Sequence, residues 1–184
     1  MRDKTEQILK AAVTVFIKKG LQATTQEIAN EADVAEVTLY RKFSTKQNLF
    51  VTVIKNVLEK QFGSRVLKLA QERDTETFLI AIIENRLEVL SKNIDLVKML
   101  IAESLRGNLP DDVNFPAIIF TSLKKGLDLH FENQDVDTDF CTRQLGGIFL
   151  SYVILPSDVV YYMLSTEEKR VIAKKHAHAM MAII

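Results

Sequence analysis

The chain has 184 residues, 47% of them apolar, and 24 basic side chains balance 24 acidic ones; that is enough to bury one or two compact cores, and it excludes a bulk polycation that holds nucleic acid by net charge. Six Gly and three Pro argue against a sheet-rich or linker-rich design. Cys141 is the single cysteine, so no intrachain disulfide can form, and no apolar stretch reaches the ~20 residues of a membrane span. With no cleavable leader pattern at the N-terminus, a soluble cytoplasmic protein without a membrane partner is expected.

Taken in order, residues 3–19 read as a helix, with Ile8, Leu9, Ala12, Val13, Phe16 and Ile17 at helical spacing and Gly20 as its stop. Thr24 followed by Glu27 is a capping box that starts a second short helix at Thr25, with Ile28, Ala29 and Ala32 on its apolar face. Asp33 stands where the chain must turn, and Asp tolerates a left-handed backbone. A third helix follows over 35–43, with Val37, Leu39 and Phe43 expected to pack and Glu36, Thr38, Tyr40, Arg41 and Lys42 pointing elsewhere. Ser44 with Gln47 reads as a second capping box, opening a connector helix to about residue 62.

Beyond that connector the pattern loosens near Gly63, and 64–72 reads as a further helical piece. A long helix from Asp74 or Thr75 to about Lys92 sets Leu79, Ile82, Ile83, Leu87 and Leu90 on one face, with Arg86 in the middle of that stripe, where a bare charge is costly. Helices over 95–106, 116–132 and 139–155 follow; Pro156 ends the last of these, which carries Gly146 and Gly147 in its interior. Ser165 with Glu168 caps a terminal helix over about 166–183. The expected fold is all-α, about nine helices: an N-terminal three-helix helix-turn-helix domain (1–46) joined by a connector helix to a C-terminal bundle (47–184).

Charge is unevenly spread. Residues 36–65 hold six cations against Glu36 and Glu59, whereas residues 103–140 hold eight acids against Arg106, Lys124 and Lys125; the basic end suits phosphates and the acidic end repels them. In the helix-turn-helix, Thr25, Tyr40, Lys42 and Lys46 are candidates for backbone phosphate contacts. Glu36, Val37, Thr38 and Arg41 are candidates for base edges, since Arg pairs with guanine, Glu accepts from the cytosine amino group, and Val or Thr methyls touch thymine.

The run ILKAAVTVFIKKGLQATT, then EIANEADVAEVTLYRKF, then STKQNLF resembles the N-terminal region of the TetR family of transcriptional regulators across about the first fifty residues. Asp33 stands where that family usually has glycine, and Ala35, among the contact positions, where it often has serine. The resemblance implies a homodimeric regulator, usually a repressor, on a palindromic double-stranded DNA operator, with a small apolar or amphipathic effector in the middle helices and a dimer formed by the last two. Ligand candidates on that basis are Ile82, Arg86, Leu100, Glu103, Ser104, Phe120, Leu123, Phe149 and Tyr152; dimer candidates are Gly146, Gly147, Leu150, Ile154, Ile172, His176, Ala179 and Ile183. Arg86 either orients a polar ligand group or pairs internally with Glu103.

No phosphate loop, nucleophile elbow or histidine pair at metal spacing occurs, so neither enzyme activity nor a cofactor or metal is expected. The rival readings are a helical carrier or enzyme with an incidental helix-turn-helix, and a regulator without effector.

Overall fold

The computed structural model describes residues 4–59, 66–155 and 158–184. Among these residues the regular structure is all helical: α1 Thr5–Lys19, α2 Thr25–Glu31, α3 Glu36–Phe43, α4 Lys46–Ile54 continued by a π-helical turn Lys55–Glu59, α5 Thr75–Lys92, α6 Ile94–Leu105, α7 Phe115–His130, α8 Thr138–Ile154 and α9 Thr166–Met181, with 3₁₀ turns at Gly20–Gln22 and Tyr161–Met163. The piece expected over 64–72 is helical at 66–69; Lys60, Gly63, Arg65 and the helix-ending Pro156 lie outside the described residues.

Packing divides the chain into two compact units, Met1–Lys60 with Asp95–Phe115, and Gln61–Ile94 with Pro116–Ile184. This division differs from one drawn after residue 46, because α4 and α6 pack with the N-terminal helices. In the first unit α1 lies against α2 and α4. Ile8, Ala12 and Phe16 of α1, Ile28 and Ala29 of α2, Leu39 of α3, and Leu49, Phe50 and Val53 of α4 are all fully buried. Phe16 meets Phe50 edge to face, with ring centroids 5.0 Å apart and planes at 84°, a geometry that aromatic quadrupoles favour.

Gly20 ends α1 at φ 57°, ψ −147°, a backbone region essentially closed to other residues. A Cβ there would stand 2.5 Å from Glu103 Oε1 of α6, so the missing side chain is what lets this carboxylate close over the turn. Glu103 is buried and accepts from Asn108 Nδ2 at 2.8 Å and Arg106 Nη1 at 3.3 Å.

The second unit is organised on α5, which packs against α8, α9 and the 161–163 turn. Its Phe78, Leu79, Ile82, Ile83 and Leu87 are buried, as are Ala173 and Ala177 of α9. Ion pairs flank the α5–α9 seam, Lys169 with Glu88 at 2.9 Å and Arg170 with Glu84 at 3.4 Å, together with a hydrogen bond between His178 Nε2 and Glu76 Oε1 at 3.0 Å. On α8, Gly146 is buried with the Phe120 ring lying where a Cβ would project, while Gly147 has open space beside it.

Candidate nucleic-acid interface

The interface is assembled by α2, the turn after it, and α3. Thr24 Oγ1 accepts from the Glu27 amide at 3.2 Å and Glu27 Oε2 accepts from the Thr24 amide at 3.0 Å, closing the capping box that starts α2. Lys19, 2.5 Å from Glu27, and the Thr24 amide hold the Glu27 carboxyl below the usual carboxylate range. The turn runs through Asp33 at φ 47°, with the Asp33 amide on the Asn30 carbonyl and the Val34 amide on that of Ala29.

Ala35 begins α3 without a side-chain cap. Leu39 and Phe43 face the core, but Val37 does not pack as expected: it is 72% exposed, and Tyr40 is 45% exposed. In an eight-residue helix seated by one edge, positions 39 and 43 use up the inward face, and position 37 falls opposite. Thr38 is half-buried, and Ala35, Arg41 and Lys42 are exposed, so α3 presents a mixed apolar, hydroxyl and cationic surface.

At its end, Ser44 adopts φ 63°, and the Thr45 amide bonds the Phe43 carbonyl at 2.7 Å, which makes a tight three-residue turn of a strained kind. The cap of α4 is consequently Thr45, whose hydroxyl accepts from the Asn48 amide at 3.0 Å. The expected Ser44–Gln47 capping box is absent because Ser44 is committed to the turn. Lys46 also differs from a lysine waiting at a helix end: its Nζ donates to the carbonyls of Leu21 at 2.8 Å and Ala23 at 3.0 Å, tying α4 to the loop before α2. Lys42 Nζ donates to Thr5 Oγ1 at 2.9 Å.

One cluster had no signal in the sequence. Thr25 is buried, and its hydroxyl donates to Glu36 Oε1 at 2.5 Å and lies 3.0 Å from the Tyr40 hydroxyl. A carboxylate only accepts, so the Thr25 proton points to Glu36 and Tyr40 supplies its own proton to Thr25. The separations of 11 and 15 residues match no local periodicity; only the crossing of α2 and α3 brings the three together.

The other expected site residues fall into separate groups. Leu100, Glu103 and Ser104 belong to the first unit; Ile82, Arg86, Phe120, Leu123, Phe149 and Tyr152 belong to the second. Arg86 is fully buried and donates from Nη2 to Ser122 Oγ of α7 at 2.8 Å, and burial pushes its guanidinium down to about 9, leaving it charged at neutral pH. Glu103 is engaged with Arg106 and Asn108, as described above. Of the proposed dimer residues, Leu150, Ile154, Ala179 and Ile183 are exposed and Ile172 is half-buried, but Gly146 is inside its own unit. His176 accepts or donates at 2.9 Å with the Tyr152 hydroxyl, and burial lowers its pKa. Burial pushes the Cys141 thiol up, away from the thiolate.

Two short helices sharing an apolar seam, the second with its outer face open, define the helix-turn-helix class. Residues 8–53 match the model of the bacterial regulatory proteins of the tetR family. The chain is 36% identical over 105 residues to the HTH-type transcriptional regulator YvkB of Bacillus subtilis (strain 168), a match covering 56% of this chain and 53% of that protein, so it spans about half the length of that relative. It is 28% identical over 152 residues to the fatty acid metabolism regulator protein of the same organism, covering 72% of this chain and 77% of the relative. Its fold is shared with the transcriptional regulator FadR from Bacillus subtilis in complex with stearoyl-CoA, at TM-score 0.68 and 16% identity over 97% of this chain and 98% of that one. The family resemblance thus rests on residues 8–53, the helix-turn-helix region of tetR-type regulatory proteins.

Proposed function

We propose that the chain is a dimeric, ligand-responsive DNA-binding transcriptional regulator acting in the cytoplasm, a repressor released from a palindromic operator by an amphipathic effector. The observation that carries this reading is α3: it buries Leu39 and Phe43 and leaves Val37, Tyr40, Arg41 and Lys42 open to a groove. DNA reading belongs to residues 1–46, with Thr25, Tyr40 and Lys42 on phosphates and Val37, Thr38 and Arg41 on base edges. Effector binding and dimerisation belong to residues 47–184.

The effector class is a long-chain acyl compound with an anionic end. Two relatives support it by their names, one as a fatty acid metabolism regulator and one as a complex with stearoyl-CoA. The buried Arg86 beside Ser122 supports it chemically, since a cation among Ile82, Ile83 and Leu87 is a natural anchor for such an anion. Dimerisation is supported by the exposed apolar side chains of α8 and α9, including Leu150, Ile154, Val171 and Met181, and by Ile183 just beyond α9. A dimer sets its two α3 helices roughly 34–36 Å apart to enter successive major grooves.

The test is binding to random-sequence duplex and to duplexes selected from the source genome. Affinity for both should fall as salt rises. Arg41→Ala should cost about 1–3 kcal/mol on the selected site and relax its sequence preference, and Tyr40→Phe should weaken the selected duplex without changing which bases it prefers. A carrier or enzyme with an incidental helix-turn-helix binds neither duplex, and that outcome would falsify the reading.

A further inference from the structure

We propose that Glu36 is a negative-charge brake on non-specific DNA binding, a specificity-determining residue that keeps the hydroxyls of Thr25 and Tyr40 turned away from phosphate until a correct base pair engages its carboxylate. This rests on the DNA-binding reading above. Its own basis is the hydrogen-bond chain Tyr40 Oη to Thr25 Oγ1 at 3.0 Å and Thr25 Oγ1 to Glu36 Oε1 at 2.5 Å.

Because the carboxylate can only accept, both hydroxyl protons are aimed inward along one direction, and each bond polarises the next. Thr25 stands at the first turn of α2 and Glu36 at the first turn of α3, so a phosphate arriving there meets a carboxylate and two hydroxyls whose protons are already engaged. To donate to that phosphate, Thr25 must leave Glu36 and Tyr40 must leave Thr25. On a matching sequence, a cytosine amino group becomes a second donor to the carboxylate and weakens its hold on the Thr25 proton, which can then turn to the backbone. On other sequences nothing replaces that proton, and the carboxylate simply repels the duplex. Glu36 is half-buried, within reach of both partners.

The experiment compares wild type with Glu36→Gln and Glu36→Ala by fluorescence anisotropy on a random-sequence duplex over a range of salt, with thermal unfolding of each variant as the fold control. Selection from a randomised duplex library supplies a readout that a merely structural role would not move. Removing one anion from the footprint should tighten random-duplex binding on the order of tenfold at 0.1 M salt and steepen the salt slope by about one. The library selected by either variant should also be flatter than that of wild type, above all at positions where wild type selects cytosine. Glu36→Gln retains an acceptor for Thr25, and Glu36→Ala keeps a good helix former, so two independent variants carry the result. Random-duplex affinity that is unchanged or weaker in both, or libraries as sharp as that of wild type, overturns the brake while leaving the regulator reading intact. Wild type that binds no duplex at any salt overturns both.

Discussion

Phe50→Ala is expected to destabilise the first unit by about 3–5 kcal/mol, the usual cost of truncating a fully buried phenylalanine. The ring is inaccessible to solvent and stands edge-on to Phe16, so the substitution removes a T-shaped pair as well as apolar burial. Phe50 belongs to α4 and Phe16 to α1, and α3 packs on α2 and α4. Loosening this pair therefore releases the seat of the exposed helix. Calorimetry should show a fall in Tm of roughly 6–20 °C for a chain of this size, with loss of DNA binding at temperatures where wild type still binds. Phe50→Leu, which keeps most of the volume, should recover most of the loss. A Phe50→Ala variant melting within about 2 °C of wild type would mean that the α1–α4 core does not form as described.

Arg86→Met is expected to behave differently. The guanidinium is fully buried on an apolar stripe, where the desolvation of a charge can exceed what its partners return. Methionine has a similar length, flexes to fill an irregular gap and brings no charge. Stability should stay close to that of wild type, the lost desolvation cost offsetting the lost hydrogen bond to Ser122, read as Tm or as a denaturant midpoint. The same substitution should abolish the thermal stabilisation by stearoyl-CoA that the proposed effector class requires of wild type, about 2.7 kcal/mol at a hundredfold excess over Kd. Arg86→Ala makes the contrast, because it leaves a cavity and should destabilise. An Arg86→Met protein markedly less stable than wild type would show that the hydrogen bond to Ser122 and its surroundings hold the fold together.

The helices were legible in the sequence wherever the determinant was local. The capping boxes at Thr24 and Ser165 are decided within four residues, and both form as read. Asp33 takes the left-handed backbone its side chain tolerates. Features decided by distant chain were not legible. Ser44 and Thr45 are both good caps by type, and what selects Thr45 is the turn that carries the chain from α3 into α4. Val37 is apolar, yet its exposure follows from which edge of α3 rests on the core. Lys46 was read from its place near a helix start, but two carbonyls more than twenty residues earlier hold it. The Glu36 carboxylate read as a free acceptor because nothing local reveals that Thr25 reaches it. The approach of Glu103 in α6 to the end of α1 uses the vacant side-chain position of Gly20, which no local pattern announces.

Asp33 and Ser44 bracket α3, and both are non-glycine residues with positive φ, 47° and 63°. Each such joint costs about 1–3 kcal/mol, so the helix is carried on an adjustable mount with a preloaded bearing at either end. Changes at these two positions can consequently re-aim every contact of α3 together, while Val37, Thr38 and Arg41 stay as they are. Sequence preference in such a protein has two independent inputs, the lettering of the helix and the set of its bearings, and the second leaves no trace in a comparison of contact residues.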